Sequence, residues 1–450
     1  MKDFATSESP AVQAQLDRLA ALSLPQGRYG LETIREILRR LDEPQRQIPP
    51  TFHVAGTNGK GSTCAYLRAI LEAQGLSVHA AIKPHLVRYN ERIRLAGELI
   101  SDQLLAALLK EVLDLSDDLA PSFFEVTTAA MFLAFARSPA DVCVIEVGLG
   151  GRFDATNVLE TAVACGIASL GIDHEAFLLR PEPGVPEEPL ERIAFEKASI
   201  ASAGVPLVTQ DYGPTVARII RDTASGKDAP CAMRGVDWWT QMGETIEYRD
   251  AKGELTLPLP ALAGAHQADN AALAVAMLQH QGRIVVSPEA MAAGIRAARW
   301  PARLQLLGEG PLTKSAPEVN EIWLDGGHNP DAARAITHFF ANRPNWGKPF
   351  LIIGMLASKD AEVFIRTLAP VAGAIVGIPI SGHEHHAPSH IADLARQAGV
   401  TQIGTAPDLL AALSIINKRG RPSDGRPPVL IAGSLYLAGE VLKLNCEMPD

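Results

Sequence analysis

A lysine, a serine and several glycines stand together at Gly56-Thr57-Asn58-Gly59-Lys60-Gly61-Ser62, between the apolar run FHVA and a segment of helical character, STCAYLRAILEAQG. Strand, glycine-rich loop and helix in that order suit an anionic ligand. Glycines let backbone N–H groups approach phosphate oxygens, and the helix N-terminus adds positive potential. Lys60 can neutralise charge on the outer phosphates, and Ser62 can offer a hydroxyl to Mg²⁺. The strict spacing of the common nucleotide loop demands glycine at position 54, where Val54 stands, so this is a variant loop. The plainer alternative is a glycine turn with a solvated lysine; the strand and helix on either side favour phosphate.

Three further residues suit a metal-assisted reaction, each with an ordinary alternative. Glu146 ends the apolar run Val142 to Val147 and is followed at once by Gly148-Leu149-Gly150-Gly151. A carboxylate at the carboxyl end of a buried parallel strand, beside open backbone, is placed to hold Mg²⁺; taken alone it also reads as a structural acid paired with Arg152. His174 follows another strand in Gly171-Ile172-Asp173-His174, and Lys197 lies in Phe195-Glu196-Lys197-Ala198. By local context alone they are a packed histidine and an exposed helix lysine. The cluster Ser381-Gly382-His383-Glu384-His385-His386, with His390 beyond, lacks the spacing of a helical zinc site and reads as a solvated loop.

The elements that must position these groups alternate between β-like apolar runs and amphipathic helical stretches. TFHVAG, ADVCVIEVG and TAVACGIASLG are strand-like, and EVTTAAMFLAFARS is helical. A second set runs from EIWLDGG through KPFLIIGML to VAGAIVGIPI, with DAARAITHFFANR and AEVFIRTLAP between. This pattern predicts α/β architecture with mostly parallel sheets. At 450 residues the chain exceeds one ordinary core. We expect two domains, 1–302 and a smaller 303–450, with the Pro- and Gly-rich RWPARLQLLGEGPLTKSAPE as linker and the ligand site in the cleft. The segment Arg180 to Glu191, rich in proline and acids, predicts an exposed loop. A formal net charge of −10 argues against broad nucleic-acid binding. No apolar stretch reaches the roughly 18 residues of a membrane span, and the start lacks a signal pattern. Five cysteines without metal spacing fit a reducing compartment, so a cytoplasmic protein is expected.

Taken together, HVAGTNGKGST, PHLVRYNERIRL, FFEVTTAAMF, EVGLGGRFDATNV, GIDHEAF, IAFEKAS, HQADNAALA, PARLQ and LDGGHNP resemble, in order and over nearly the whole chain, the folylpolyglutamate synthase/dihydrofolate synthase family of the Mur ligase superfamily. The resemblance implies an N-terminal Mur-ligase-type P-loop ATPase domain and a smaller Rossmann-like C-terminal domain. It implies an ATP-dependent ligase that adds L-glutamate to dihydropteroate, to the γ-carboxylate of tetrahydrofolates, or to both, through an acyl phosphate. Thr57, Asn58, Gly59, Lys60, Gly61 and Ser62 would bind ATP phosphates, with Asn270, Arg303 and Asp325 as further nucleotide contacts. Ser62, Glu146, His174 and a carbamylated Lys197 would hold Mg²⁺, in two sites. His328, with Asp325, would stand near the reacting groups. Arg28, Tyr29, Gly30, Leu31, Phe123, Phe124 and Glu125 would line the pterin side, and His85, Arg88, Phe153, Asp154 and Ala155 would complete the substrate site. A monomer acting on small molecules alone, without nucleic acid or membrane, is expected.

Two features depart from the family pattern. A serine that helps to hold Mg²⁺ usually precedes the Pro-His pair, and here the residue is Lys83. An ammonium cannot ligate a metal without losing its proton. Lys83 would then replace part of the metal's charge, swing to the phosphates or a substrate carboxylate, or mark a weakened enzyme. The loop Arg180 to Glu191 is also longer than usual. Arg88, Arg92 and Arg94 offer a basic run for the two carboxylates of glutamate, or else pair with Glu91 and Glu98. Two other functions compete: a Mur-type ligase for a cell-wall precursor, and a nucleotide-binding homologue with reduced activity.

Overall fold

A computed structural model describes residues 6–22, 30–316, 321–418 and 427–449. The chain divides into two compact units: residues 1–261 with 267–299, and residues 262–266 with 300–449.

The first unit is built on an eight-stranded sheet. Its strands are β1 (Thr51–Ala55), β2 (Val78–Ala81), β3 (Ile93–Leu95), β4 (Glu98–Leu99), β5 (Val142–Glu146), β6 (Ala162–Ile167), β7 (Leu207–Thr209) and β8 (Cys231–Met233), in the order β4-β3-β2-β5-β1-β6-β7-β8. Five neighbouring pairs are parallel, and only β3, antiparallel to both β2 and β4, runs the other way. Strands β1 and β5 are buried along their whole length. That explains why their sequences are continuous apolar runs and do not alternate: helices cover both faces of a parallel sheet. The topology matters for chemistry. From β1 the chain passes over the β5 position to β2, returns to fill β5, and then crosses to β6 on the other side. The carboxyl ends of β5, β1 and β6 therefore open on the crevice where such sheets bind ligands.

Helices fix what those ends carry. Lys60–Ala73 begins directly after the β1 loop and buries Cys64, Tyr66, Leu67, Ile70 and Leu71. Phe123–Arg137 is started by a capping box, with the Ser122 hydroxyl accepting from Glu125 N–H and the Glu125 carboxylate accepting from Ser122 N–H. In Pro189–Ala198, Ile193, Ala194, Lys197 and Ala198 recur at helical spacing and are all buried, so Lys197 lies on the covered face and not in solvent. A small antiparallel sheet, β9 (Trp238–Met242), β10 (Thr245–Asp250) and β11 (Gly253–Pro258), was not expected from sequence.

The second unit carries a six-stranded sheet of β12 (Gln305–Leu306), β13 (Ile322–Asp325), β14 (Phe350–Ile353), β15 (Ala374–Gly377), β16 (Ile403–Thr405) and β17 (Val429–Ala432), in the order β12-β13-β17-β14-β15-β16, parallel except for β12. Residues 300–316 of the stretch expected to be a linker are folded into this unit. Gln305 and Leu306 pair with β13, and Pro311–Lys314 is a short helix; a two-residue strand is too short to show a periodicity. No described helix is long and apolar enough to cross a membrane.

Candidate active site

The loop after β1 is held against the segment after β6. Thr57 N–H and Asn58 N–H both donate to Ser169 O, at 2.7 and 3.2 Å, and the Thr57 hydroxyl donates to Gly171 O at 2.8 Å. Gly59 turns the chain into the helix with φ +82°, a left-handed conformation that costs glycine little. A side chain there would run into the Asn270 amide, so Asn270 stands against the loop. Lys60 folds back: its Nζ donates to Gly56 O at 2.9 Å and to Thr57 O at 3.2 Å. These two carbonyls hold the ammonium at the loop, where an arriving phosphate can compete for it. Ser62 is buried in the first helical turn.

Around the loop lies a pocket open to solvent, with about 260 Å³ of empty space, lined among others by Thr57, Lys60, Gly148, Asp173, His174 and Lys197. It belongs entirely to the first unit. Asp173 was not singled out from sequence, although an acid beside His174 at a strand end was a signal for it. Asp173 Oδ1 accepts from His174 N–H at 2.8 Å, and the histidine backbone is left-handed at φ 57°. Burial drives the Lys197 amine down to about 7, helped by the Lys60 cation and opposed by Asp173, Asp154 and Glu196. Glu146 is buried at the end of β5 and accepts from Lys83 N–H at 3.0 Å. Among the described residues, no three His, Cys, Asp or Glu side chains converge as a metal cage. A divalent ion would therefore need oxygens from the triphosphate, which is how Mg²⁺ is commonly held.

The loop from Arg180 is exposed over much of its length, yet it is anchored. Glu182 pairs with Arg152 at 2.5 Å and with Arg192 at 2.9 Å, and Glu196 accepts from both arginines at 2.9 and 3.0 Å. Arg152 is thus tied to Glu196 and Glu182, and not to Glu146. Because this network braces the helix that carries Lys197, Glu196→Ala leaves two poorly solvated guanidinium groups short of an acceptor. Chemical denaturation should show a loss of about 3 kcal/mol, the cost of breaking one partner of a buried pair; a loss under about 0.5 kcal/mol would remove the bracing role.

The expected substrate residues fall into distinct surroundings. Arg28 and Tyr29 lie outside the described residues. Gly30 and Leu31 lead into the helix Glu32–Arg40. Phe123 packs edge-on against Phe124 and Tyr89, and the Arg92 guanidinium lies over the Tyr89 and Phe123 rings at 4.8 and 5.5 Å. Arg92 also donates to His85 Nδ1 at 2.9 Å, and burial with that neighbouring cation holds His85 far below its ordinary value. The Glu125 carboxylate is engaged in the helix cap. The Glu91 carboxylate accepts three backbone N–H groups, from Leu86, Val87 and Arg88, so its bonds go to backbone and shape the turn bearing His85. Arg88 is exposed, and Arg94 donates to Gly97 O. Phe153 is partly exposed beneath Arg152, whereas Asp154 and Ala155 are buried.

In the second unit Asp325 ends β13 and gathers backbone: Oδ2 accepts from Leu304 N–H at 2.8 Å and Oδ1 from Gly327 N–H at 2.6 Å. Arg303 sits between two residues of positive φ, Ala302 (56°) and Leu304 (42°). Non-glycine residues keep that conformation only where surrounding bonds impose it. His328 bonds through Nδ1 to Gly326 O at 3.0 Å. His383 packs on Tyr436, and His386 stacks on His390; these histidines form no metal cluster with other described residues.

Comparison with known proteins agrees with this geometry. Residues 312–444 match the family model "Dihydrofolate synthetase, C-terminal domain". The dihydrofolate synthase/folylpolyglutamate synthase of Bacillus subtilis (strain 168) is 31% identical over 431 residues, covering 92% of this chain and 94% of that protein. The chain belongs to the dihydrofolate synthase/folylpolyglutamate synthase family. Solved structures of that family superpose on it closely. Escherichia coli FolC in complex with DHPP and ADP gives a TM-score of 0.84 at 30% identity, covering 97% of each chain. The bifunctional folylpolyglutamate synthase/dihydrofolate synthase of Yersinia pestis, complexed with AMPPNP and Mn ion, gives 0.82 at 29% identity, covering 98% of this chain and 99% of that one.

Proposed function

We propose that this member of the family is an ATP-dependent ligase that joins L-glutamate to a pteroate-type or folate-type carboxylic acid through an acyl phosphate. The observation that carries the proposal is the convergence of the Lys60 loop, Asp173, His174 and Lys197 on one cavity at the carboxyl ends of β1, β5 and β6. A carboxylate is a poor acyl donor at neutral pH, because its leaving oxygen would depart as oxide. Transfer of a phosphoryl group from the co-substrate ATP gives it a better one. The protein's part in such a transfer is positioning and charge neutralisation.

Lys60 leaves the Gly56 and Thr57 carbonyls for the outer phosphates, while loop N–H groups and the helix N-terminus hold the remainder. Ser62, His174 and Lys197 are the residues that would hold Mg²⁺, with Asp173 beside them and Glu146 as the acid for a second ion where no other cation stands against it. Bound there, the ion would neutralise charge on the transferred phosphoryl group. A plain amine suits Lys197 badly to this task; its carbamate, a carboxylate-like ligand, suits it well. In the second unit we assign Arg303, Asp325 and His328 to nucleotide and reaction-centre contacts. The aromatic cluster of Tyr89, Phe123 and Phe124 is assigned to the flat ring of the acid, and Arg92 with Arg88 to carboxylates. The five described cysteines are all free, which suits a reducing compartment such as the cytoplasm; a monomer is part of the proposal.

Purified protein with ATP, Mg²⁺ and glutamate, assayed against dihydropteroate and a tetrahydrofolate separately, should release ADP and phosphate only when an acid and glutamate are both present. Nucleotide binding without phosphate release, or release that ignores both, would leave a homologue without ligase activity, and turnover of UDP-linked precursors would point to a cell-wall ligase.

A further inference from the structure

Lys83 follows β2, and its backbone N–H is tied to Glu146, so its Cα is pinned beside the acid that ends β5. Its Nζ is buried without a hydrogen-bond partner. Burial pushes the Lys83 amine below its ordinary range; the acids Asp154 and Glu146 oppose that shift by attracting the ammonium, and Arg92 adds to it. Asp154 is itself firmly held: its carboxylate accepts from Leu149 N–H at 2.8 Å, Thr156 N–H at 3.0 Å and the Thr156 hydroxyl at 2.5 Å. His53 Nε2 bonds that hydroxyl from behind at 2.8 Å. Gly148 completes the arrangement. A Cβ there would lie 3.1 Å from Lys83 Cδ, 3.3 Å from Nζ and 3.1 Å from Asp154 Oδ2. Since Gly148 lines the cavity of the Lys60 loop, the ammonium is packed against the wall of that cavity where a glycine leaves it room.

An ammonium has three donors and no acceptor, and burying it without partners is costly. Such a group is completed by oxygen atoms of a ligand, and the ligand chemistry that this cavity takes is an oxyanion. Lys83 also bears on metal binding. A divalent ion on Glu146 would face the charge of the Lys83 ammonium and gain no ligand from it. We propose that Lys83 is a built-in cation that takes the place of one divalent ion beside Glu146, its ammonium meeting an oxyanion of the bound triphosphate or of the acyl phosphate, so that the loaded enzyme binds one ion and not two. This rests on the ligase assignment above, and it concerns a residue in which this chain departs from the family pattern.

The test is a count of ions. Mn²⁺ is titrated into full-length protein saturated with AMPPNP, and the loss of the free-ion electron paramagnetic resonance signal is followed. One Mn²⁺ per chain is expected in the wild type. Two are expected in Lys83→Ser, which puts a hydroxyl where the ammonium stood, and also in Lys83→Ala, which removes the charge and admits a hydrated ion. Two ions in the wild type would overturn the proposal while leaving the ligase assignment standing; a deprotonated Lys83 acting as a ligand would give that result. One ion in a folded variant of either kind would also overturn it. Failure of AMPPNP to bind would remove the ligase assignment and the proposal with it.

Discussion

Lys60→Met should lower kcat by about 10²- to 10³-fold, roughly 3 to 4 kcal/mol of transition-state stabilisation. Methionine keeps the length and the apolar stem but loses the ammonium. Loss of fold should not account for the effect. Among the described residues, the Lys60 ammonium of the free protein bonds only to the carbonyls of its own loop, Gly56 and Thr57. The loop is independently fastened through Thr57 and Asn58 to Ser169 and Gly171. Thermal stability should therefore stay near that of the wild type, and KM for ATP should change less than kcat, because the charge that Lys60 meets grows as the phosphoryl group departs. Steady-state kinetics on the folded variant gives the answer. A kcat within threefold of wild type would mean that another cation carries the transfer.

The second large effect is expected at Lys197. With its amine brought down to about 7, roughly half of the side chain is uncharged at neutral pH; an unperturbed lysine would be uncharged in only about one molecule in a few thousand. The uncharged amine can attack CO₂: an N–C bond forms, the nitrogen releases a proton to solvent, and a carbamate anion results. The sign of the pH dependence follows. Because the folded amine titrates below its ordinary range, carbamate should persist above pH 7 and fall below it, as protonation removes the nucleophile. Protein equilibrated with ¹³C-bicarbonate should show one carbamate carbon per chain, absent in Lys197→Arg. Lys197→Arg keeps a cation but cannot become a ligand, so its activity should fall by about 100-fold, the scale on which altered metal surroundings act. Uptake of no label by the wild type, together with a fully active Lys197→Arg, would return this residue to a plain structural role.

What could be read beforehand follows from distance along the chain. The Lys60 loop lies between a strand and a helix that are its immediate neighbours, so its context was visible within some twenty residues. The parallel sheets were equally legible, because strands such as VCVIE are buried on both faces and written as unbroken apolar runs. The cell of Lys83, Asp154, Thr156 and His53 was not legible. Its members come from the middle of β1 and from the segments that follow β2 and β5, and nothing local marks Thr156 as the link between His53 and Asp154. Glu125 shows the opposite case. The pattern Ser122-x-x-Glu125 announces a helix cap, and the structure gives its carboxylate that task. The sheet β9 to β11 escaped notice because its strands are half exposed, with Trp239 and Met242 facing outward, so no unbroken apolar run marks them. For Lys197 the helical spacing of buried Ile193, Ala194 and Ala198 was available to show that the lysine shares the covered face.

The acyl phosphate itself can be followed by labelling the carboxylate of the pteroate or folate substrate with ¹⁸O and running one turnover with ATP, Mg²⁺ and glutamate. Attack of that carboxylate on the terminal phosphorus leaves one labelled oxygen in the inorganic phosphate released, and mass spectrometry of the phosphate should find it there. Unlabelled phosphate, with the label leaving in AMP or remaining in the acid, would contradict a phosphoryl transfer from the Lys60 loop to the substrate carboxylate.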